Sequence, residues 1–341
     1  MAQQEGIFTT FDDDDKVTSQ ISIVSSGMWS GGVGTLTAFH TSSTQSGSTG
    51  QHYLDVYNGI VGTDATASVQ FSVAFGHYAG SGSKVGDADY AASKAVYRQF
   101  RNLLLPQNEE FFNITGASGN ATQSLAIAAV AMNRSRLKEK MDPGNWEMRI
   151  SGSDGSTFKL IDDSGATSDP TVKKTTREFN VISGSIESGT AVSPSGEVKY
   201  YGKFYPESGI IIADIATLGG ATTFAGYNIS ATSVDRNNTQ RLYQGISGSG
   251  YFASRREESI RSTHYFCRVK HSMYNHSQNP TYFTASTNEL TVPSFRTDPQ
   301  AYITTVGLYN DANELLAVAK LSRPILKSTS REALIKVRLD F

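Results

Sequence analysis

His264, His271 and His276 crowd into "HYFCRVKHSMYNHSQNPTYF", residues 264–283. Three imidazoles on one surface could hold zinc or iron. Their steps of seven and five residues fit neither one strand face nor a helical pair, and no acidic ligand stands beside them. The expectation is therefore ordinary strand and loop histidines, with no metal ligand assigned. Asp162 and Asp163 could serve acid–base chemistry if a partner group stood near. None is evident, and the pair reads as a polar turn after a strand. The run Asp12, Asp13, Asp14 and Asp15, closed by Lys16, reads as a solvated turn, with a cation site as the lesser alternative.

Nucleophiles fare no better. Cys267, the one cysteine, lies in the apolar run "THYFCRV" and is expected to be a buried structural thiol. It excludes an internal disulfide framework and a cysteine-based metal cluster. "GISGSG", 245–250, approaches a hydrolase elbow, but its second glycine falls one place early and no helical pattern follows. "SGGVG", 30–34, lacks the lysine and the following helix of a phosphate-binding loop. No catalytic, cofactor-binding or metal-binding residue is assigned. The chain is expected to be no enzyme, to need no cofactor and to take no small-molecule substrate.

The elements around these residues are mostly strands. Glycine is abundant at 31 of 341 residues, 16 tyrosines and 17 phenylalanines occur, and only 18% of residues are charged. Such a composition suits sheets with many turns, and surfaces that other subunits cover. The net charge of −2 gives no field for nucleic acid. No apolar run reaches the length of a membrane span, and "MAQQEGIFTT" lacks the basic start and apolar core of a secretory signal.

In "ASVQFSVAFGHYA", 67–79, Val69, Phe71, Val73 and Phe75 alternate with Ser68, Gln70, Ser72 and Ala74, predicting a half-buried strand with His77 at its end. "DADYAASKAVYRQFRNLLLP" predicts the one long helix, near 90–105, capped by Asp87 or Asp89 and ended by Pro106. Its apolar stripe is Ala92, Val96, Phe100 and Leu103. Lys94, Arg98 and Arg101 share another face. "SLAIAAVAM", 124–132, fits a buried strand or a helix, and the strand is favoured, leading into a short basic helical turn near 133–141. Residues 145–165 read as a hairpin, with Trp146, Met148 and Ile150 facing Phe158, Leu160 and Asp162. "GEVKYYGKFYPESGIIIADI", 196–215, predicts two strands joined at Pro206–Gly209. "ATLGGATTFAGYN" and "DRNNTQRLYQGISGSGYFASRREESIRST" read as loop-like and polar. Trp29 and Trp146 are expected to anchor the core rather than stack on sugars.

"YITTVGLY" and "LLAVAKLS" predict two antiparallel arms around "NDANE". "EALIKVRLDF" adds a third arm, with Ala333, Ile335, Val337, Leu339 and Phe341 on its buried face and the last strand paired. The fold class expected is mainly β: antiparallel sheets or a sandwich, one long helix and a C-terminal β-meander. Two domains are expected. One spans 1–165 with the helix, and one spans 177–341, with Ser/Thr/Lys-rich residues between them as a linker.

Three C-terminal pieces carry a resemblance: "NPTYF" (279–283), "YITTVGLYNDANELLAVAKLSRPI" (302–325) and "KVRLDF" (336–341). Together they resemble a recurring signature of virion structural proteins of contractile-tailed, T-even-like bacteriophages. "KEKMDPGNWEMRISG" (138–152) and "RQFRNLLLP" (98–106) are similar to other pieces of that group. The resemblance implies a tail subunit, most often a baseplate or wedge component. Its partners would be other tail proteins and copies of itself, and its place the virion, after synthesis in the host cytoplasm. It implies no active site; from the charge and hydropathy above, no nucleic-acid or membrane partner is expected. A carbohydrate- or receptor-binding tail protein and a neck or head structural protein stand as alternatives.

Overall fold

The computed structural model describes residues 8–42, 53–80, 93–115, 121–152, 157–166, 177–186, 199–221 and 238–340. The expected cap at Asp87 or Asp89, most of the polar loop at 40–51, the linker at 167–176 and the terminal Phe341 lie outside them. Among the described residues the chain is mainly β, with 49% strand against 17% helix. In order, its strands are β1 (Lys16–Gly27), β2 (Thr35–Leu36), β3 (Tyr53–Tyr57), β4 (Val69–His77), β5 (Phe112–Thr115), β6 (Ala121–Ser124), β7 (Ala126–Met132) and β8 (Lys140–Ser151). Then come β9 (Thr157–Asp162), β10 (Phe179–Ser183), β11 (Tyr200–Tyr205), β12 (Ile210–Asp214), β13 (Phe252–Val269), β14 (Gln300–Tyr309), β15 (Leu315–Ser328) and β16 (Ala333–Asp340). The described helices are α1 (Ser93–Leu104), α2 (Ile215–Ala221) and α3 (Asn238–Ser249).

Residues 23–258 form one compact unit; residues 1–22 and 259–341 form the other. This corrects the division expected at 165–177. The strands flanking that stretch pair directly, with Val181 opposite Asp162 and Ile182 opposite Ile161, so one ladder runs across it. β1 and β13 each continue without a break from one unit into the other.

In the larger unit the sheet follows the order β13-β8-β9-β10-β11-β12-β7-β4-β3. Residues 35–40 then join its ends. Leu36 pairs with Phe252 on β13, and His40 exchanges two backbone hydrogen bonds of 2.9 and 2.8 Å with Tyr57 on β3. The enclosed core contains Met28, Trp29, Phe71, Trp146, Phe204 and Phe252, together with Leu242 and Ile246 of α3. The Trp29 indole stands 5.0 Å from the Phe252 ring and 6.0 Å from Phe71, and its Nε1 donates to the Phe252 carbonyl at 2.9 Å. Both tryptophans are core anchors, as expected.

"SGGVG" proves to be the turn that seats Trp29. Gly31 and Gly32 take φ of 78° and 75°, a conformation that costs glycine little. The fully buried Gln70 side chain accepts from Ser30 N at 3.0 Å and donates to Ser30 Oγ at 2.7 Å, tying this turn to β4.

The strand at 69–77 is covered on both faces, not half-buried. Phe71, Val73 and Phe75 enter the enclosed core, while Ala74 joins a second cluster with Ile127, Ala129, Ile212, Tyr97 and Phe112. Helix α1 closes that second face. A Cβ on Gly76 would stand 2.9 Å from Tyr97 N, so only glycine lets the helix approach. Val96, Phe100 and Leu104 complete the packing. Leu103, expected on this stripe, is 62% exposed instead. The real stripe turns about Tyr97, whose hydroxyl donates to the Ser124 carbonyl at 2.8 Å, so the helix is rotated towards that bond.

Other expectations are corrected. α1 is matched in length by α3, twelve residues each, so no single long helix stands out. α3 replaces the polar turns expected there; its only buried apolar side chains, Leu242 and Ile246, are too few to announce a stripe. Residues 215–221 of the loop-like stretch form α2. The helical turn near 133–141 is absent: Asn133 Oδ1 accepts from Ser135 N at 2.9 Å, holding a tight turn, and β8 starts at Lys140.

The smaller unit packs two layers. β14 and β15 form the expected hairpin, with Leu308 opposite Ala317 and Val306 opposite Ala319. β16 is a strand, but it pairs with β13 (Val337 opposite Tyr265, Ile335 opposite Cys267) and not with β15. The C-terminal meander is therefore a hairpin laid over a separate ladder. Leu308, Ile335 and Val337 fill the space between. The alternation in β16 marks a buried face without saying which strand lies beside it.

Replacing Trp29 by alanine should lower the free energy of unfolding by about 3–5 kcal/mol in a denaturant titration. Leu103→Ala should leave it within about 0.5 kcal/mol. Equal losses would refute the assigned helix face.

Candidate functional site

The structure keeps the three histidines on separate duties. His264 lies within β13, opposite Arg338. His271 follows that strand, with Nδ1 3.2 Å from Glu332 Oε1, and this contact holds the Glu332 carboxyl below its ordinary range. His276 sits in the loop beyond. Among the described residues no group of three His, Cys, Asp or Glu side chains is arranged to ligate a metal. Asp13–Asp15 form a single 3-10 turn, and the buried Asp15 pairs with Arg268 at 3.2 Å, anchoring the start of β1. Cys267 is half-buried on β13, and burial pushes its thiol up. Ser247, in the elbow-like "GISGSG", is a half-buried helix residue whose hydroxyl donates to the Gln244 carbonyl at 3.3 Å.

The carboxylates converge on a feature that sequence reasoning missed. β8 bulges outward at Asp142-Pro143-Gly144-Asn145: Met141 faces Arg256 and Trp146 faces Ser254, so four residues stand opposite one. Two buried acids, Asp142 and Asp162, hold this bulge, and three further acids bond nearby. Both oxygens of Asp162 accept from Gly144 N at 3.0 Å, and Asp142 Oδ2 accepts from Ser25 Oγ at 2.5 Å and Asn145 Nδ2 at 2.8 Å. Asp163 receives Asn180 N and Nδ2 at 2.9 and 2.7 Å. The fully buried Glu147 takes Arg149 Nε at 2.6 Å, Ser185 Oγ at 3.0 Å and Ile186 N at 2.9 Å, while the Arg149 guanidinium stacks 3.7 Å over Tyr251. Burial raises the Glu257 carboxyl against the opposing pull of Lys140, 3.1 Å away. These acids spend their lone pairs on the sheet's own donors, which makes them structural fasteners. The Pro-Gly pair inside an otherwise strand-like run was the one signal available for the bulge.

A different surface stands open. On the β14–β15 hairpin, Ala317, Ala319 and Leu321 face the core, while Leu316 is 67% exposed and Val318 is 58% exposed. Tyr309 and Leu315 extend this apolar face towards the turn, which Asn310 braces by accepting from Glu314 N at 2.8 Å. An outer hairpin face in water is ordinarily polar. Contiguous exposed leucine, valine and tyrosine mark a surface that gains by being covered. Neither indole is exposed for stacking on a sugar.

Asp162 supplies a test of the fasteners. Burial pushes its carboxyl from 3.8 to about 6, against the opposing donors Ser164 and Gly144. The folded chain therefore binds more protons than the unfolded one between these values, and stability falls as pH rises through that window. Such a displacement corresponds to on the order of 3 kcal/mol. Urea titrations from pH 4 to 7 should show wild type losing stability relative to Asp162→Asn, with no further change above pH 7. A constant difference would show that Asp162 does not titrate there.

Comparison with protein-family models, curated proteins and solved structures finds no match to this chain.

Proposed function

We propose that this chain is a non-enzymatic structural subunit of a contractile bacteriophage tail, acting as a baseplate component that holds neighbouring subunits in register. The observation that carries this reading is the exposed apolar face of the β14–β15 hairpin, Tyr309, Leu315, Leu316 and Val318. That hairpin is the segment, 302–325, whose sequence resembles the virion signature. Apolar and aromatic side chains with few charges suit a permanent protein interface. The buried acids support the same reading, because they stiffen the sheet. The partners proposed are other tail proteins and copies of this chain.

Cryo-electron microscopy of purified particles should place the chain's density in the tail, with the hairpin face against a neighbour. A chain that is soluble, monomeric and missing from purified particles would end the proposal. The double variant Leu316→Lys/Val318→Lys should fold with a stability change within about 0.5 kcal/mol per site, yet fail to enter particles when it replaces the wild type. Normal incorporation would show that this face is not used.

A further inference from the structure

The segment Phe8–Phe11 touches the rest of the smaller unit in an unusual way. Phe8 meets Tyr309, at the end of β14, edge to face at 5.1 Å. Phe11 meets Tyr265, on β13, at 5.4 Å. Between them Thr9 Oγ1 lies 3.1 Å from the Tyr274 hydroxyl. Tyr274 takes φ of 52°, a left-handed conformation that costs a non-glycine residue energy. Three tyrosines from three separate stretches thus form a seat for one short segment.

The seat is only partly filled. Phe8 is 54% exposed although its ring is engaged, and Phe11 is 40% exposed. Residues 8–11 adopt no strand, and among the described residues no backbone–backbone hydrogen bond reaches them. The segment is held by side chains alone. Its root is firm, because Asp15 is clamped by Arg268. Rotation about Asp12 and Asp13 would release Phe8, Thr9 and Phe11 without disturbing β1 or its ladder.

From this geometry we infer that residues 8–11 are an exchangeable arm, and that the tyrosine seat accepts the same arm from a second copy of the chain. The contacts are identical whether the arm belongs to its own chain or to a neighbour, so exchange leaves contact energy nearly unchanged. Local concentration decides the outcome, and copies fixed side by side reach effective concentrations on the order of millimolar. Tyr309 also borders the exposed Leu315, Leu316 and Val318, so an arm arriving from a neighbour would enter beside an apolar face already open to it. The inference rests on the proposed assembly role only for the source of that crowding. Exchange itself belongs to the isolated chain.

The test uses the full chain with Cys267→Ala as background. Phe8→Cys and Tyr309→Cys are made singly and together, and a short bismaleimide joins thiols held close. The double variant should cross-link internally at low concentration. An equal mixture of the two single variants at about 1 mM, a concentration matched to the effective one, should give a covalent heterodimer. Its yield should fall at least five-fold on ten-fold dilution. Pairing Phe8→Cys with Leu103→Cys, an exposed site in the other unit, should give at least five-fold less product. Internal cross-links with no heterodimer, equal yields from the Leu103 pair, or no internal cross-link would each overturn the exchange. None of these results alters whether the wild-type chain is found in particles, so the two proposals fail separately.

Discussion

The larger unit depends on one hydrogen-bonded indole. Trp29 donates to the Phe252 carbonyl while its ring packs between Phe252 on β13 and Phe71 on β4. Those strands lie near opposite ends of the sheet path, so this cluster brings the ends to where residues 35–40 can bridge them. A sheet joined at both ends hides its ladder edges. The turn that seats the indole needs Gly31 and Gly32 at positive φ and is tied down by the buried Gln70. A glycine-rich stretch that could be mistaken for a phosphate cradle is therefore a structural clasp.

Several buried acids follow the same logic. Asp142, Glu147 and Asp162 all sit on or against β8, and each is satisfied by donors inside the sheet. Burying a carboxylate is costly unless such donors are present, and a satisfied one fixes geometry. Here the geometry fixed is the bulge at 142–145, a break in pairing that would otherwise leave backbone groups unpaired beside the core. Lys327 plays a similar part in the smaller unit. Its fully buried ammonium donates to the His271 carbonyl, Asn275 Oδ1 and the Ser328 carbonyl at 2.8–2.9 Å, binding a loop to the end of β15.

The surface carries the opposite character. The outer face of the β14–β15 hairpin and the half-exposed phenylalanines at 8 and 11 leave apolar area in water. The interior is rich in hydrogen-bonded acids, and the exterior carries uncovered apolar strips.

Alternation and turn chemistry sufficed to announce most of the strands. The period of two in 67–79, 145–162 and 333–340 marked which side chains share a face, and Pro206–Gly209 and "NDANE" marked turns, because these are properties of neighbours along the chain. Local pattern is silent about which strand lies beside which. It did not reveal that β9 pairs with β10 across the polar stretch, that β16 joins β13 instead of β15, or that 35–40 bridges β13 and β3. Nor did it show that β4 is covered twice, since burial of its second face is supplied by α1 from elsewhere in the chain. The acids were legible as acids, but their partners Ser25, Gly144 and Ser185 come from other strands and loops, so only folding could decide that they are fasteners. Sequence determined most of the strands and the alternation along them. Tertiary structure decided their neighbours, because pairing is a long-range choice governed by total burial and satisfied hydrogen bonds.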